Sequence, residues 1–532
     1  MKRRNFLVVW LLLLSLILSA CGNGNSTSSG TSGAGSAQNV AYYAYVYPPT
    51  DDWDPSSCFD MGIATLLNLY DTLLRYNPED DTFTYVLCDE YSSSEDALTW
   101  TFHIREGATF HDGTPVNAEA VKFSFERTME KGLGASYIWA AVESFEVTDE
   151  YTLVMHLSYP DAMDLVVSSP YAAFVMSPTA LEENGDDWLT AGNEAGSGPY
   201  YLESNTNGEQ VILSKFEDYW GGWTEGQFDK VVIQKVSESS SRRLMLENGE
   251  ADFVSSLPAE DLEALANNEN VVITRSESFE NLVITLNCAN GPLSDVNVRK
   301  AVSCAFPYED VIQYALGGNA SKATGPVPQG LWGSVEEGEV PTYDYDLDKA
   351  KEYLAQSAYP DGGFTLSLTY VTGIEEQRKL AELFQSELGK LNITLDIQPM
   401  TADMYVEKGQ SSDPADRQDM AILVWYPDVP SPYTFFYTFY HQSDPLSFNW
   451  TYYQNDEFDA LIDEANTLSA TDRDTAIEMY KQAQQILYED APAITAYDLD
   501  YVHCYNKTFE GFVSNPCYPY TVFFYECSRA AS

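Results

Sequence analysis

The sequence predicts an α/β protein with parallel strand pairing, and three stretches carry that prediction. Phe364, Leu366, Leu368 and Tyr370 alternate with other residues, the period of a strand with one buried face. Leu380, Leu383, Phe384, Leu388 and Leu391 follow at helical spacing over 375–391, and Ile393, Leu395 and Ile397 alternate again. A strand, a helix and a strand of these lengths form a βαβ unit, whose crossover makes the two strands parallel. The second stretch, 98–127, alternates at Trp100, Phe102 and Ile104 and reverses at His111-Asp112-Gly113-Thr114-Pro115. Asn117 is then placed to N-cap a helix with Ala118, Val121, Phe125 and Met129 on one face. The third holds two late helices, marked by Phe458, Leu461, Ile462 and Ala465, and by Ile477, Tyr480, Ala483 and Leu487. Thr471-Asp472-Arg473-Asp474 opens the second, and it must close before Pro492.

The remaining elements follow in order. Residues 42–47 read as a strand, and Trp53-Asp54-Pro55 leads to a helix in which Ile63, Leu66, Leu67, Tyr70 and Leu74 share a face. Strands are expected at 151–157 and 211–213. The glycines of Gly196-Ser197-Gly198-Pro199-Tyr200-Tyr201 and Tyr219-Trp220-Gly221-Gly222 fit positions of positive φ. A helix over 242–252 ends at Asn248-Gly249, and another starts at Pro258. Leu282, Ile284 and Leu286 mark a strand over 281–287. After Val298-Arg299-Lys300-Ala301-Val302, a helix is expected to start at Tyr308 or Glu309. Asp344-Tyr345-Asp346-Leu347-Asp348 begins like an EF-hand loop, but Lys349 and Ala355 stand where glycine and a bidentate glutamate are required, so Asp348 reads as a helix cap.

Trp100-Thr101-Phe102-His103-Ile104-Arg105-Glu106-Gly107, Phe110-His111-Asp112-Gly113-Thr114-Pro115 and Ser124-Phe125-Glu126-Arg127 resemble, in that order, the signature segment of the family 5 extracytoplasmic solute-binding proteins. These are the peptide- and nickel-binding receptors of ABC importers. The glycine-rich segments and Leu246-Glu247-Asn248-Gly249-Glu250-Ala251-Asp252 extend the resemblance over roughly residues 41–527. It implies a two-lobed periplasmic-binding-protein-like fold, of the large peptide-receptor type, with a small domain inserted in the first lobe. The implied divisions are 41–76, 197–283 and 498–532 for the first lobe, 77–196 for the small domain and 284–497 for the second lobe. In this signature His103, His111 and Asp112 belong to the fold, with Asp112 bonding turn amides.

The 532 residues are a prior for about three domains. The 81 acids against 28 bases leave a net charge of −53, which argues against nucleic acid or an anionic membrane surface as a partner. At the N-terminus, Lys2, Arg3 and Arg4 precede an apolar run over 6–18, too short for an ordinary membrane span and suited to a secretory signal over 1–20. Leu18-Ser19-Ala20-Cys21 resembles a lipobox, which implies cleavage before Cys21 and diacylglycerol on its sulfur. Residues 21–40 then form a flexible Gly/Ser/Thr/Asn tether. The expected location is extracytoplasmic, lipid-anchored to the outer face of the bacterial cell membrane, in the periplasmic space or its equivalent. The seven further cysteines form no CxxC pair and read as small buried residues, with a bridge among Cys504, Cys517 and Cys527 left open.

HExxH, GxSxG and P-loop motifs are absent from the sequence, and its five histidines do not cluster, so no enzyme, metal or cofactor is expected. The candidate ligand site is 421–440, where an apolar strand delivers Asp428 onto a proline-bounded loop dense in aromatic residues, among them Trp425, Tyr426, Tyr433 and Phe435. Trp425-Tyr426-Pro427-Asp428 resembles the family segment Trp-x-x-Asp, whose aspartate in peptide-binding members pairs with the ligand ammonium. Val424 and Ser431-Pro432 depart from the family pattern. From the first lobe the resemblance brings the loop Cys58-Phe59-Asp60. The expected function is a monomeric receptor that captures oligopeptides and delivers them to an ABC permease and its ATPase. An oligosaccharide receptor is the alternative within the family, and a secreted hydrolase using dispersed carboxylates the alternative outside it.

Overall fold

Two long strands, Val271–Leu286 and Ala493–Asn506, pair antiparallel along most of their lengths and join the two halves of an eleven-stranded sheet. The computed structural model describes residues 38–530 except 51, 60, 207, 444, 445 and 447. On one side of the ribbon lie Phe253–Val254, Val40–Tyr45, Lys230–Lys235, Gln210–Lys215 and Tyr200–Thr206. On the other lie Met420–Trp425, Phe364–Val371 and Ile393–Met400. These are the sheets of two lobes. The ribbon's register shifts between Glu277 and Asn281, where the strands pass from one lobe to the other. The Ser278 hydroxyl donates to the Leu499 carbonyl at 2.5 Å and accepts from the Glu280 amide at 3.0 Å, while the Phe279 amide reaches Pro516. The backbone groups of this irregular stretch therefore have protein partners.

In the second lobe Phe364–Val371 and Ile393–Met400 pair in parallel, as the βαβ reading requires, with the helix Glu375–Gly389 between them. That helix buries Leu380, Phe384 and Leu388, while Leu383 sits at the margin. The late helices run Asp456–Leu468 and Arg473–Asp490, the second capped by Asp472. Tyr308–Tyr314 is helical from the expected start. The cap of Leu347–Leu354 is Asp346, not Asp348: the Asp346 carboxylate accepts from the amides of Asp348 and Lys349, which puts Asp348 inside the first turn.

The signature segment behaves as a folding unit. Thr99–Ile104 is the second strand of a four-stranded antiparallel sheet with Cys88–Ser93, Thr152–Leu157 and Val142–Asp149, and Asn117 caps the helix Ala118–Lys131. Asp112 accepts from the Thr114 amide at 2.8 Å. His111 bonds Glu194 at 2.9 Å through one ring nitrogen and the Gly198 carbonyl at 2.9 Å through the other, which ties the turn to the returning chain. Arg127 at the end of the signature forks onto both oxygens of Asp54, at 2.7 and 2.6 Å, with both side chains buried. Burial opposes charge on Asp54, but the bonds from Arg127 and Lys131 hold its carboxyl below the ordinary range. This pair pins the loop that carries Cys58 and Phe59.

Three further expectations are corrected. The first helix stops at Leu69, and Leu74 belongs to the strand Leu74–Asn77, whose hairpin with Thr82–Tyr85 spans the division set at 76/77. The Leu69 carbonyl is taken by the Gly198 amide at 2.9 Å, and a Cβ on Gly196 would lie 1.9 Å from that oxygen. Gly196 and Gly198 are therefore required for close approach rather than for positive φ, which Gly222 alone of the four adopts, at +66°. Finally, the stretch after Ser431 is not a loop: Pro432–Tyr440 is a helix capped by Ser431, with proline in its first turn. The seven described cysteines beyond the N-terminus are all free, six of them buried. Cys21 and the signal segment lie outside the described residues. No helix among the described residues is long and apolar enough to cross a membrane.

Arg127→Ala takes the two-pronged partner from the buried Asp54 carboxylate and leaves Lys131 on one oxygen, so unfolding in urea should show a loss of about 3 kcal/mol, the low end for a broken buried pair. Arg127→Lys should recover only part of that, because an ammonium cannot span both oxygens. At the ribbon crossing, Asp498 is 6% exposed; one oxygen accepts from the Gln329 amide at 3.0 Å and the other has no hydrogen-bond partner among the described residues. Burial pushes this carboxyl up to about 7, with Glu277 and Asp500 adding repulsion. A carboxyl whose folded-state pKa lies above its unfolded value binds its proton more tightly when folded, so its contribution to stability falls as pH rises from about 4 to about 7. Asp498→Asn should therefore stabilise the protein by about 2–4 kcal/mol at pH 8 and by little at pH 4, read from urea midpoints at the two pH values.

Candidate functional site

Met420–Trp425 lies between Phe364–Val371 and the crossing ribbon, and its last residue pairs with Asn281, just past the register shift. The chain leaves the sheet there, so Tyr426 to Asp428 stand beside the passage between the lobes. Asp428 is 1% exposed. Its carboxylate accepts a short hydrogen bond from the Tyr137 hydroxyl, and its carbonyl accepts from the Ser169 hydroxyl at 2.6 Å. Burial pushes the Asp428 carboxyl up to about 7 against the pull of the Tyr137 bond, and no basic side chain offsets that burial.

The rings around it form a chain. Tyr426 stacks on Tyr171 with centroids 6.2 Å apart and hydroxyls at 3.3 Å. Tyr171 in turn meets Phe59 edge-on at 5.5 Å and Tyr518 at 5.6 Å. Phe59 is 38% exposed, whereas Cys58 is buried behind it, its amide bonded to the Asp54 carbonyl at 2.9 Å. The structure thus brings Asp428, Tyr426, Cys58 and Phe59 into one neighbourhood. Two other candidates point elsewhere. Trp425 packs on Phe439 at 5.8 Å and Phe448 at 5.2 Å, and its buried indole N–H has no partner among the described residues. Tyr433 stands on the helix Pro432–Tyr440 and donates to Asp463 at 2.8 Å. Asp60 lies outside the described residues.

Sequence reasoning missed Tyr137, Ser169, Tyr171 and Tyr518, which come from segments hundreds of residues away from Asp428 or from irregular chain with no periodic signal. It also missed Glu280. This glutamate sits in the irregular stretch of the ribbon, half-buried, and burial pushes its carboxyl up to about 7. The Tyr501 hydroxyl faces it without closing a hydrogen bond, and Tyr47 and Tyr520 feel its charge. The cation acting on Tyr47 is Arg242, whose guanidinium is committed to the carbonyls of Val236, Ser237, Ser255 and Ser256. The passage between the lobes is therefore aromatic and acidic, with unpaired carboxyl groups suited to a positively charged partner.

Comparison with known proteins agrees with this architecture. Residues 82–446 match the family model described as bacterial extracellular solute-binding proteins, family 5 Middle. The probable D,D-dipeptide-binding periplasmic protein DdpA of Escherichia coli K12 is 32% identical over 456 residues, covering 84% of this chain and 86% of that one. The glutathione-binding protein GsiB of Salmonella typhi is 28% identical over 87% of this chain and 89% of its own length. Among solved structures, the ABC transporter-associated periplasmic binding protein DppA of Helicobacter pylori, in complex with peptide STSA, superposes with a TM-score of 0.79 at 25% identity, over 93% of this chain and 99% of that one. With the family model spanning more than half of its length and the two-lobed sheet matching throughout, this chain belongs to the family 5 bacterial extracellular solute-binding proteins.

Proposed function

We propose that this protein captures oligopeptides outside the membrane and delivers them to an ABC permease and its ATPase, with Asp428 pairing the ligand's α-ammonium. The observation that carries this reading is a buried carboxyl at the lobe passage, bonded to a neutral phenol and with no basic partner among the described residues. A carboxyl in that setting is held near neutrality until a cation arrives, and a charge-assisted bond formed there is shielded from water. The dipeptide, glutathione and peptide ligands after which its relatives are described are of the matching chemical class. Opening and closing about the crossing ribbon admits and encloses the ligand. Cys21, as a lipidated residue, holds the receptor at the outer face of the membrane. No turnover is required of it.

Asp428→Asn should weaken binding of a peptide with a free N-terminus by roughly ten- to a hundredfold in calorimetric titration, the worth of about 1.5–3 kcal/mol for a bond to a charged group. N-acetylation of the peptide should cost the wild type a similar factor and cost the variant little. Because the ammonium needs the ionised carboxylate, wild-type affinity should drop by about tenfold for each pH unit below 7, while the variant's stays flat. Equal losses on acetylation in both proteins would remove Asp428 from this role.

Cys21→Ala should release the protein from the membrane fraction of its native host, since two acyl chains hold a protein stably and a single one does so only marginally. Retention of the variant through salt washing would overturn the anchor.

A further inference from the structure

The helix Arg473–Asp490 begins with a residue that its own position disfavours. Arg473 is the first helical residue after the Asp472 cap, where the partial positive charge of a helix N-terminus opposes a cation. Its compensation comes from the other half of the molecule. The guanidinium makes a short ion pair with Asp81, in the turn of the hairpin Leu74–Asn77 and Thr82–Tyr85, and it lies over the Trp332 ring, 4.5 Å from the centroid. Both supports are fixed. The Trp332 indole N–H donates to the Pro430 carbonyl at 2.9 Å, and the Tyr76 hydroxyl donates to the second Asp81 oxygen at 3.0 Å. Asp81 has φ +54°, a left-handed conformation that aspartate adopts more readily than most residues. Asp164, from the same half as Asp81, also feels this cation: burial raises its carboxyl, while the Leu165 amide and Arg473 draw it back. One arginine is thus set against two acids. Among the described residues, the pair with Asp81 is the only ion pair that joins the second lobe to the rest of the chain.

We infer that Arg473 and Asp81 form an electrostatic latch that fastens the second lobe to the hairpin and sets how readily the lobes part. The pair lies on the two bodies rather than on the ribbon that joins them, so it breaks when they part and leaves the fold of each intact. Its side chains are 33% and 39% exposed, so it tunes the equilibrium between open and closed lobes rather than locking it. Trp332 stays with Arg473 on the second lobe, where it packs 6.0 Å from Tyr480, and Tyr76 stays with Asp81. Both charges are therefore held in place while the lobes are apart, which lowers the ordering cost of pairing again. The latch shares no residue with the Asp428 site, whose lobe-to-lobe bonds run through Tyr137 and Ser169. It rests on the opening and closing of the lobes proposed above and not on what that site binds.

The test is small-angle scattering of the whole protein, dialysed free of bound solute and held at one ionic strength. Arg473→Glu suits the helix N-terminus, so it does not weaken its own element, yet it sets a third acid against Asp81 and Asp164. It should raise the radius of gyration, about 24 Å for a compact chain of this length, by a few per cent. Arg473→Gln, which removes the attraction without adding repulsion, should raise it less. Combining Arg473→Glu with Asp81→Lys restores an opposite pair and should bring the radius most of the way back, a rescue that damage confined to either lobe does not give. An Arg473→Glu protein as compact as the wild type overturns the latch, and so does a double variant no more compact than Arg473→Glu alone. No ligand takes part, so either result leaves the role of Asp428 standing, and unchanged peptide binding in Asp428→Asn leaves the latch standing.

Discussion

The pairing of Val271–Leu286 with Ala493–Asn506 is the constraint on which the rest of the structure depends. The ribbon belongs to both sheets, and every lobe-to-lobe hydrogen-bonded strand contact in the large sheet runs through it. Its register shift at Glu277 and Asn281 places one unpaired stretch at the crossing, where the hydroxyl of Ser278 substitutes for ladder bonds. A regular ladder resists bending because its bonds are evenly shared, and an interruption held by a few side-chain bonds concentrates any bending there. The neighbouring strand ends beside this interruption, with Trp425 paired to Asn281, and the chain leads from there to Asp428.

Charge is distributed along this frame in a consistent way. Some inward-facing acids have a basic partner: Asp54 has Arg127 and Lys131, and Glu194 has His111. Asp428, Glu280, Asp498 and Asp161 are without such partners, and burial raises all four to about 7. They stand at the lobe passage, at the ribbon crossing and, for Asp161, in the wall of a cavity that Tyr137 also lines. Unpaired buried carboxyls lower stability near neutral pH, so their clustering at places where the halves of the molecule meet fits binding better than packing. The Arg127 pair serves the same end indirectly, since it fixes the loop whose Phe59 touches Tyr171.

Much of the fold was legible in the residues. The parallel unit at 364–400, the signature strand and helix, the caps at Asn117 and Asp472 and the αL stop at Gly249 all depend on spacing within about twenty residues. Local geometry dictates such features, so local sequence shows them. The helix Pro432–Tyr440 escaped because phenylalanine, tyrosine and threonine favour strands and give no clean helical face, although Ser431 followed by proline was a readable start. The candidate site was legible only in part: Asp428 could be picked from its segment, but its phenol partner Tyr137 is 291 residues away.

By itself the sequence determined the α/β class, the family, the acidic character and the elements whose period lies within one segment, because these follow from chain geometry and from ordered motifs. Only the tertiary structure decided that the first helix ends where Gly198 takes the Leu69 carbonyl, that Trp425 packs on Phe439 and Tyr433 bonds Asp463, and that the Tyr137 phenol meets Asp428. Each of these is set by which distant groups meet in space, and a side chain's burial, its pKa and its partner are properties of that meeting, carried by no residue alone.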